Sequence, residues 1–313
     1  MTSLNGLPCR VGYVITSYQS TQQVARLIST VKRESPEAVV VVHHDPVLEQ
    51  ILADDLPPGT ILIISNEHIR WGSSAFLLGQ LRAVAAAKQA GAGWVVVLSA
   101  QDYPIQSLRE FERRLSRCSG DALLETFEAQ PDYEGILTRY SRQGIELSDR
   151  VDRLLRRPVL SAVVKASRVL KHQRRPRGMP GRLERRYVKP PLPPGMRVTA
   201  GSNWWTLGPR AVDVLLTHHT SQSPLLRHFL GTYIASEAFV HTALAMEREI
   251  VIEKSHKLHY IVWEEWSPAF LTERDVPELL NSEVPFARKF EAGAPVLDLL
   301  DQHLERSSGQ GTA

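Results

Sequence analysis

The chain has 313 residues, of which 43% are hydrophobic and 23% charged. This apolar content can form a substantial core, which excludes a wholly disordered chain, and no apolar run approaches the roughly 18 residues of a membrane-spanning helix. Cys9 and Cys118 are too few for a disulfide framework or a cysteine-based metal site. Residues 1–12 lack the apolar stretch of a secretory signal. We therefore predict a globular, cytoplasmic protein with reduced cysteines.

Charge is distributed unevenly along the chain. The net charge is +3, but the segment from Arg150 to Lys189 holds fourteen Lys and Arg against two acidic residues, a local balance of +12 that leaves −9 elsewhere. Such a block is typical of contact with an anionic partner, or of a solvated basic helix and loop. A nucleic-acid partner is disfavoured, because aromatic residues are not interleaved with the basic ones. Peripheral contact with a membrane remains compatible with the pattern.

The first hundred residues alternate between strand and helix patterns. The predicted strands are Val11–Ser17, Ala38–Val42, Thr60–Ile64 and Trp94–Leu98. The predicted helices are Thr21–Arg33, Pro46–Asp54 and Ser74–Ala90. This alternation predicts an α/β fold, a mainly parallel sheet flanked by helices on both faces. No G-x-G-x-x-G or P-loop motif follows the first strand, which disfavours ordinary dinucleotide and P-loop sites.

The second half of the chain is less regular. Strand patterns fall within residues 121–142, Val151–His172 has the spacing of a basic amphipathic helix, and residues 174–194 form a Pro- and Arg-rich segment that we expect to be mobile. Later patterns predict helices near 209–218, 234–247, 275–281 and 295–305, strands at Ile250–Glu253 and Leu258–Val262, and a tail from Ser307. We predict one domain over residues 1–313 with a basic insertion at 150–197.

Candidate functional residues follow the strand ends, where ligands bind in sheets of this class. Asp45 and Asp102 could accept hydrogen bonds from a nucleoside or sugar, or simply cap turns. His43 and His44 are adjacent on an extended chain and so face opposite ways, which disfavours a metal site.

Two later groups could serve catalysis. Glu237, near a predicted helix start, could be a general base or a residue that complements the helix dipole. The pair Arg288-Lys289 lies between Phe residues and could neutralise a diphosphate, or be solvated at the surface. The residues alone indicate a nucleotide-linked α/β enzyme of unspecified reaction.

Several segments together resemble one family, the core-2/I-branching β-1,6-N-acetylglucosaminyltransferases with the peptide O-xylosyltransferases. These segments, which keep the family's order and approximate spacing, are Tyr13–Ser17, His43-His44-Asp45, Trp71-Gly72, Leu98–Ile105 (LSAQDYPI), Leu124-Glu125-Thr126, Gly201–Leu207 (GSNWWTL), Ile234–Leu244 (IASEAFVHTAL) and Pro285–Phe290 (PFARKF). LSAQDYPI and FARKF together make the match specific. The likeness covers most of residues 10–305 except about 145–197.

The resemblance implies a GT-A-type fold and inverting transfer from a UDP-sugar without a divalent metal or other cofactor. The sequence agrees in having no D-x-D triplet. Carried over by position, the base is Glu237, and Arg288 and Lys289 replace the metal. The donor site gains Val14, Asp45, Trp71 and Asp102, and the acceptor site gains Glu125, Asn203 and Trp204.

Departures from the family pattern leave the substrates open. Asn203 stands where the xylosyltransferases carry an acid, and Ser236 precedes the base where an acidic residue is frequent. The sugar that is transferred could be N-acetylglucosamine or xylose. The acceptor could be a glycan, a peptide or a small natural product, including an anionic one. The alternatives are a metal-dependent GT-A-type sugar or nucleotidyl transferase, and a non-catalytic module that binds through its basic arm.

Overall fold

The structure is a computed structural model, and it describes residues 10–128, 139–140, 144–166, 170–173, 182–185, 196–254, 258–264 and 267–310. The strands in chain order are β1 Val11–Ser17, β2 Val39–His44, β3 Thr60–Ile64, β4 Trp94–Ser99, β5 Asp102–Pro104, β6 Ala122–Leu124, β7 Thr126–Glu128, β8 Gly144–Glu146, β9 Leu170–Gln173, β10 Arg182–Arg185, β11 Thr199–Gly201, β12 Thr206–Leu207, β13 Ile252–Lys254, β14 His259–Ile261, β15 Trp263–Glu264, β16 Ser267–Pro268 and β17 Phe286–Arg288.

Helices surround these strands. The α-helices are α1 Thr21–Glu34, α2 Ser74–Gln89, α3 Leu108–Arg117, α4 Asp149–Leu155, α5 Pro158–Ala166, α6 Pro209–Thr220, α7 Pro224–Leu230, α8 Phe239–Met246, α9 Val276–Asn281 and α10 Val296–Gln310. Short 3₁₀ helices lie at Ala53–Asp55, Ala235–Glu237 and Glu273–Asp275. None of the helices in the described ranges has both the length and the apolar character that crossing a membrane requires.

A seven-stranded sheet forms the centre, in the order β13-β6-β12-β4-β1-β2-β3. Strands β1 to β4 pair in parallel, and β12 runs antiparallel to both β4 and β6. The carboxyl ends of β1, β2 and β4 therefore meet at one edge, with Ser17 beside His44 and Thr16 beside Ser99. The predicted class, a mainly parallel sheet flanked by helices, is confirmed.

The strands are buried because they have helices on both sides. Val14, Val41 and Val97 pack against α2, α6 and α8 on one face, while Tyr13 and Ile15 pack against α1, α3 and α10 on the other. The alternation follows from the two-residue period of a strand, and burial on both faces explains why the sequence reads as continuous apolar runs.

A second, three-stranded sheet, β14-β17-β5, lies beyond the end of β4. It places Arg288 opposite both Asp102 and Ile261, and Phe286 opposite His259. The LSAQDYPI and FARKF segments are therefore neighbours in space although almost 190 residues separate them in sequence.

The basic insertion differs from its prediction. The single helix expected over Val151–His172 is wrong: α4 and α5 are separated at Arg156-Arg157, where Pro158 begins a new helix, and the chain then forms β9. The expected loop contains β10, which pairs with β8 and β9 in a small antiparallel sheet. Apart from β10, residues 174–194, which were expected to be mobile, lie outside the described residues.

Four smaller expectations are also corrected. Residues 46–54 form turns and only the start of a 3₁₀ helix, α7 was not expected, and α10 continues to Gln310 where a tail was predicted. The predicted helix over 234–247 divides into the Ala235–Glu237 turn and α8. Glu237 therefore ends a 3₁₀ turn before the α-helix rather than lying inside it.

Candidate active site

A cleft of about 550 Å³ opens at the carboxyl ends of the parallel strands. Five of the residues singled out from the sequence line it: Asp45, Trp71, Asn203, Trp204 and Arg288. They come from four separate segments, which the crossing connections of the sheet bring to one edge. The edge at which the sequence predicts a ligand site thus carries a cavity in the structure.

Among the described residues, Arg288 is one of two arginines that line this cleft, the other being Arg70. Its guanidinium lies 4.2 Å from the centre of the Trp204 ring, and its Nη1 lies 3.7 Å from Asp102 Oδ1. Its side chain is only 13% exposed. Its Nε has no hydrogen-bond partner among the described residues. The structure thus holds a cation in place while leaving donor capacity free for a ligand.

Trp204, whose ring contacts Arg288, belongs to an aromatic stack. The rings of Trp204 and His259 lie 5.1 Å apart, and His259 stacks on Phe286 at 5.4 Å. Because Trp204, His259 and Phe286 come from three elements, the stack joins β14 and β17 to the GSNWWTL segment. Cation–π contact and this packing restrict the rotamers of Arg288.

Asp102 is fully buried and does not line the cleft. Its carboxylate accepts hydrogen bonds from the Ser99 backbone N–H at 2.7 Å and the Ser99 hydroxyl at 2.8 Å, and lies 3.3 Å from His259. Burial acts to raise the pKa of Asp102, but Arg288, His259 and the Ser99 N–H together hold that pKa below its usual value. Asp102 is therefore the counter-charge that positions Arg288, not a direct ligand of the donor.

Asp45 organises a different wall of the cleft. Its Oδ2 accepts hydrogen bonds from Ile69 N–H at 2.7 Å and pairs with His68 Nδ1 at 2.9 Å, and its Oδ1 accepts from Val47 N–H at 3.1 Å. The side chain is only 2% exposed. A carboxylate that follows β2 thus fixes the loop that carries Trp71.

Trp71 and Gly72 connect this loop to the turn before Glu237. Trp71 packs edge-on against Tyr233 at 5.9 Å, and Gly72 has φ +74°, where a Cβ would lie 2.6 Å from the Tyr233 ring. The Gly72 carbonyl accepts from Ile234 N–H at 3.1 Å. Glycine is required here both for its conformation and for the close approach of Tyr233.

Ile234 itself has φ 55° and ψ 50°, the left-handed region that a β-branched side chain seldom adopts. It lines the cleft and starts the turn that ends at Glu237. Backbone strain of this kind costs about 1–3 kcal/mol and concentrates at functional sites. The turn is thus held by its surroundings in a shape that the sequence alone disfavours.

Glu237 is partly buried beside this turn, one residue after Ser236, which lines the cleft. Its Oε2 lies 3.6 Å from Arg139 Nη1. Burial raises the pKa of Glu237 above its ordinary value, and the charge of Arg139 acts in the opposite direction. A carboxylate with a raised pKa is better suited to take a proton near neutral pH than an ordinary surface glutamate.

Five of the ten predicted site residues are outside the cavity lining: Asp102 and Glu237, which were described above, and Val14, Lys289 and Glu125. The Val14 side chain is wholly buried in the core, where it packs, and the assignment of this position to the donor site stays a prediction. Lys289 donates to Ser267 Oγ at 2.9 Å and lies 4.3 Å above the Phe270 ring, outside the cavity lining. Glu125 precedes β7, and its carbonyl accepts from Ser202 N–H at 3.4 Å.

Two cleft residues were missed as donor contacts. Gln23 and His43 are 2% and 1% exposed, both line the cavity, and their polar side-chain atoms have no hydrogen-bond partner among the described residues. Burial, with Arg82 and His44, lowers the pKa of His43 to about 4, so its ring is neutral. Gln23 could have been found as a polar residue one turn from Leu27 on the apolar face of α1.

Unpartnered buried polar atoms are rare in folded proteins, so those that line this cleft are candidate contacts for a ligand. The Asn203 side-chain oxygen belongs to the same set. In the ranges that the structure describes, no group of three or more His, Cys, Asp or Glu is arranged to hold a metal ion. The polar groups of this cleft are thus suited to hydrogen bonding and to pairing with an anion.

Two curated plant proteins are similar to this chain in sequence. Beta-glucuronosyltransferase GlcAT14B of Arabidopsis thaliana is 26% identical over 80% of this chain and 54% of its own, and GlcAT14A of the same plant is 26% identical over 67% and 42%. The chain thus spans about half the length of these curated relatives.

A solved structure, a 4-diphosphocytidyl-2C-methyl-D-erythritol synthase from Anaerococcus prevotii, aligns over 87% of this chain and 97% of its own with a TM-score of 0.37 and 8% identity. A likeness this low supports no conclusion. The model of the Core-2/I-Branching enzyme family, in contrast, matches residues 11–282, which include every cleft segment described above except the Arg288 strand. The chain belongs to the Core-2/I-Branching enzyme family.

Proposed function

We propose that this protein is a glycosyltransferase that moves a sugar from a UDP-sugar to an acceptor hydroxyl with inversion at the anomeric carbon. The observation that carries the proposal is one cleft with an anchored arginine on one wall and, beside another wall, a strained turn that ends in a carboxylate of raised pKa. Family membership supplies the reaction class.

The donor would lie across the strand ends. Strands β2 and β4 flank β1, so the carboxyl ends of these two strands, at His43 and Ser99, are separated by roughly 10 Å. This matches a nucleoside bound near Gln23, His43 and Asp45 with its diphosphate reaching Arg288. An amide and a neutral imidazole can each exchange hydrogen bonds with the edge of a pyrimidine.

The reaction step would use two groups of the chain. Glu237 takes the proton of the acceptor hydroxyl while that oxygen forms a bond to the anomeric carbon. The bond from that carbon to the β-phosphate oxygen breaks on the opposite side, and its electron pair leaves with UDP. Arg288 stabilises the negative charge that develops on the leaving diphosphate.

Lys289 could join Arg288 only by leaving Ser267 and Phe270, which hold it outside the cleft lining. The proposal therefore assigns the main electrostatic role to Arg288 and a supporting role to Lys289. Metal independence and the lack of any other cofactor remain part of the proposal, supported by the absence of a D-x-D triplet from the sequence.

The sugar and the acceptor are narrower questions. N-acetylglucosamine and xylose follow from the sequence resemblance, and the names of the plant relatives add glucuronic acid. Asn203 and Trp204 lie in the cleft and would contact the sugar or the acceptor, whereas Glu125 would do so only beyond the cavity lining.

Calorimetry tests the donor site directly. In EDTA, UDP should bind the wild-type protein, and it should bind more tightly than uridine because Arg288 engages the diphosphate. Loss of UDP binding on chelation, restored by Mg²⁺ or Mn²⁺, would contradict metal independence. Equal affinity for uridine and UDP would remove Arg288 from the donor site. A thermal-shift panel of UDP-N-acetylglucosamine, UDP-xylose and UDP-glucuronic acid would then rank the sugars.

A further inference from the structure

Helix α5 has an inverted distribution of side chains. Val159 is 75% exposed, Val163 62% and Leu160 37%, whereas the one buried residue of the helix is Ser161. Val159 and Val163 are four residues apart and so lie on one face, with Leu160 beside them. A soluble helix normally buries such residues and exposes its serine.

Apolar exposure continues around this helix. On α4, Val151 is 41% exposed and Leu154 37%, and Ile145 on β8 is 72% exposed. The exposed aliphatic residues of these three elements are together called the apolar surface: Ile145, Val151, Leu154, Val159, Leu160 and Val163. Contiguous apolar patches on a protein surface mark contact with a protein or a membrane.

Exposed basic residues lie on or beside the same two helices, where Arg156 also pairs with Asp152 at 2.7 Å. Arg150, Arg153, Arg156, Arg157 and Lys165 are all exposed on α4, on α5 or between them. They begin the segment from Arg150 to Lys189 whose balance is +12. The partner that covers the apolar surface must therefore tolerate or attract a high density of positive charge.

We propose that the apolar surface of α4, α5 and β8 binds the surface of an anionic lipid bilayer. The aliphatic side chains would enter the interface between headgroups and acyl chains, and the arginines would contact lipid phosphates. At nine residues α5 is about 13 Å long, which suits a helix lying in the interface rather than crossing it.

Charge favours lipid over a second copy of the chain. In a symmetric dimer through this surface, each protomer would bring its own exposed Arg150, Arg153, Arg157 and Lys165 to the contact, and like charges would oppose association. A bilayer rich in phosphatidylglycerol supplies both the apolar interior and the negative charge. The cost of leaving Val159 and Val163 in water is thus removed by the same partner that neutralises the arginines.

The position of this surface relates it to the cleft. Glu146 Oε1 accepts from Ser74 N–H at 2.8 Å, and the Leu147 carbonyl accepts from Arg70 Nη2 at 2.8 Å. Residues just before α4 therefore contact the loop that carries Trp71. Docking on a bilayer would hold the rim of the cleft close to the lipid surface.

Vesicle co-sedimentation of the full chain tests the proposal. Wild-type protein should bind vesicles with 30% phosphatidylglycerol in phosphatidylcholine, should bind pure phosphatidylcholine at least roughly tenfold more weakly, and should lose affinity as salt rises. The double variant Val159→Ser/Val163→Ser should reduce binding roughly tenfold, and Arg150→Gln/Arg157→Gln should reduce both the affinity and its salt dependence.

The matched control is Val251→Ser/Leu299→Ser, which removes two exposed aliphatic residues elsewhere and should leave binding unchanged. No binding of wild-type protein to the anionic vesicles at low salt would overturn the proposal, whether or not the serine variant folds. Light scattering that shows a wild-type dimer, lost in the serine variant, would assign the surface to a second copy instead. Equal loss in the control pair would also overturn it.

Discussion

Two neighbouring residues of β5 serve two different charged clusters. Asp102 pairs with Arg288, while Tyr103 lies against α1 and α10, where its hydroxyl lies 3.0 Å from Asp301. In the second cluster Asp301 also accepts from Arg26 and Arg33, each at 2.7 Å, and from Thr30 at 2.9 Å.

The clusters differ in how fully their hydrogen bonds are used. The Asp301 carboxylate has a donor on every side, whereas Arg288 lies 3.7 Å from its counter-charge and leaves Nε without a described partner. A saturated cluster lowers the energy of the fold, and an unsaturated one reserves binding capacity for a ligand. The difference teaches that an ion pair in this protein is best interpreted by which of its hydrogen-bonding atoms lack a partner. The number of ion pairs does not distinguish the two clusters.

The largest expected effect is the loss of turnover when Glu237, the proposed base, is replaced. Glu237→Gln keeps the shape of the side chain but removes the base, so turnover should fall by roughly 10² or more. The melting temperature and the affinity for UDP should change little. Measuring all three on one preparation separates the roles, because a purely structural glutamate would lose stability and keep its turnover per folded molecule.

The saturated cluster should show the opposite pattern. Asp301→Asn removes the charge that Arg26 and Arg33 share, and should lower the free energy of unfolding by about 2 kcal/mol without changing UDP affinity. Arg33, Arg26, Thr30 and Tyr103 hold the pKa of Asp301 low despite burial, which acts to raise it.

The stability that Asp301 contributes therefore depends on pH in a defined direction. A depressed folded-state pKa contributes fully above the unfolded value of about 3.9, and the contribution is lost as pH falls through the folded-state pKa. The difference between wild type and variant in urea unfolding should be constant from pH 8 to about 5. A difference that disappears already at pH 6 would contradict this account.

A smaller effect should sharpen the role of Arg139. Its charge opposes the rise that burial gives to the pKa of Glu237. Replacing Arg139 by Gln should therefore move the acidic limb of the pH–rate profile to higher pH, because Glu237 then stays protonated up to a higher pH. Arg139→Lys should restore the limb in part. An unchanged limb in both variants would separate Arg139 from the base.

Much of this arrangement could be predicted from the sequence. The apolar runs of β1 to β4 fixed the class of sheet, and polar residues after β2 and β4 marked the edge where the cleft opens. The pairing of Arg288 with Asp102 could not be derived from periodicity, since it needs two short strands separated by almost 190 residues to meet.

The differences from the sequence predictions have physical causes as well. Val14 was assigned to the donor site by position, and the alternation of β1 turns its side chain into the core. The helix expected at Val151–His172 followed the apolar spacing across Pro158, which instead starts α5. His43 and Gln23 were not predicted as donor contacts because the signal is the lack of hydrogen-bond partners for their buried polar atoms. A sequence does not show which polar atoms lack a partner.

A matched pair of arginine variants tests the central claim most directly. Arg288→Gln and Arg26→Gln each remove one guanidinium near β5, and UDP affinity in EDTA and melting temperature should be measured for both. Arg288→Gln should weaken UDP binding roughly tenfold to a hundredfold, the range of one or two charge-assisted contacts, and it should also lower the melting temperature because the buried Asp102 loses its counter-charge. Arg26→Gln should lower the melting temperature and leave UDP binding intact. The reverse pattern, or equal effects of both variants on UDP binding, would contradict the account.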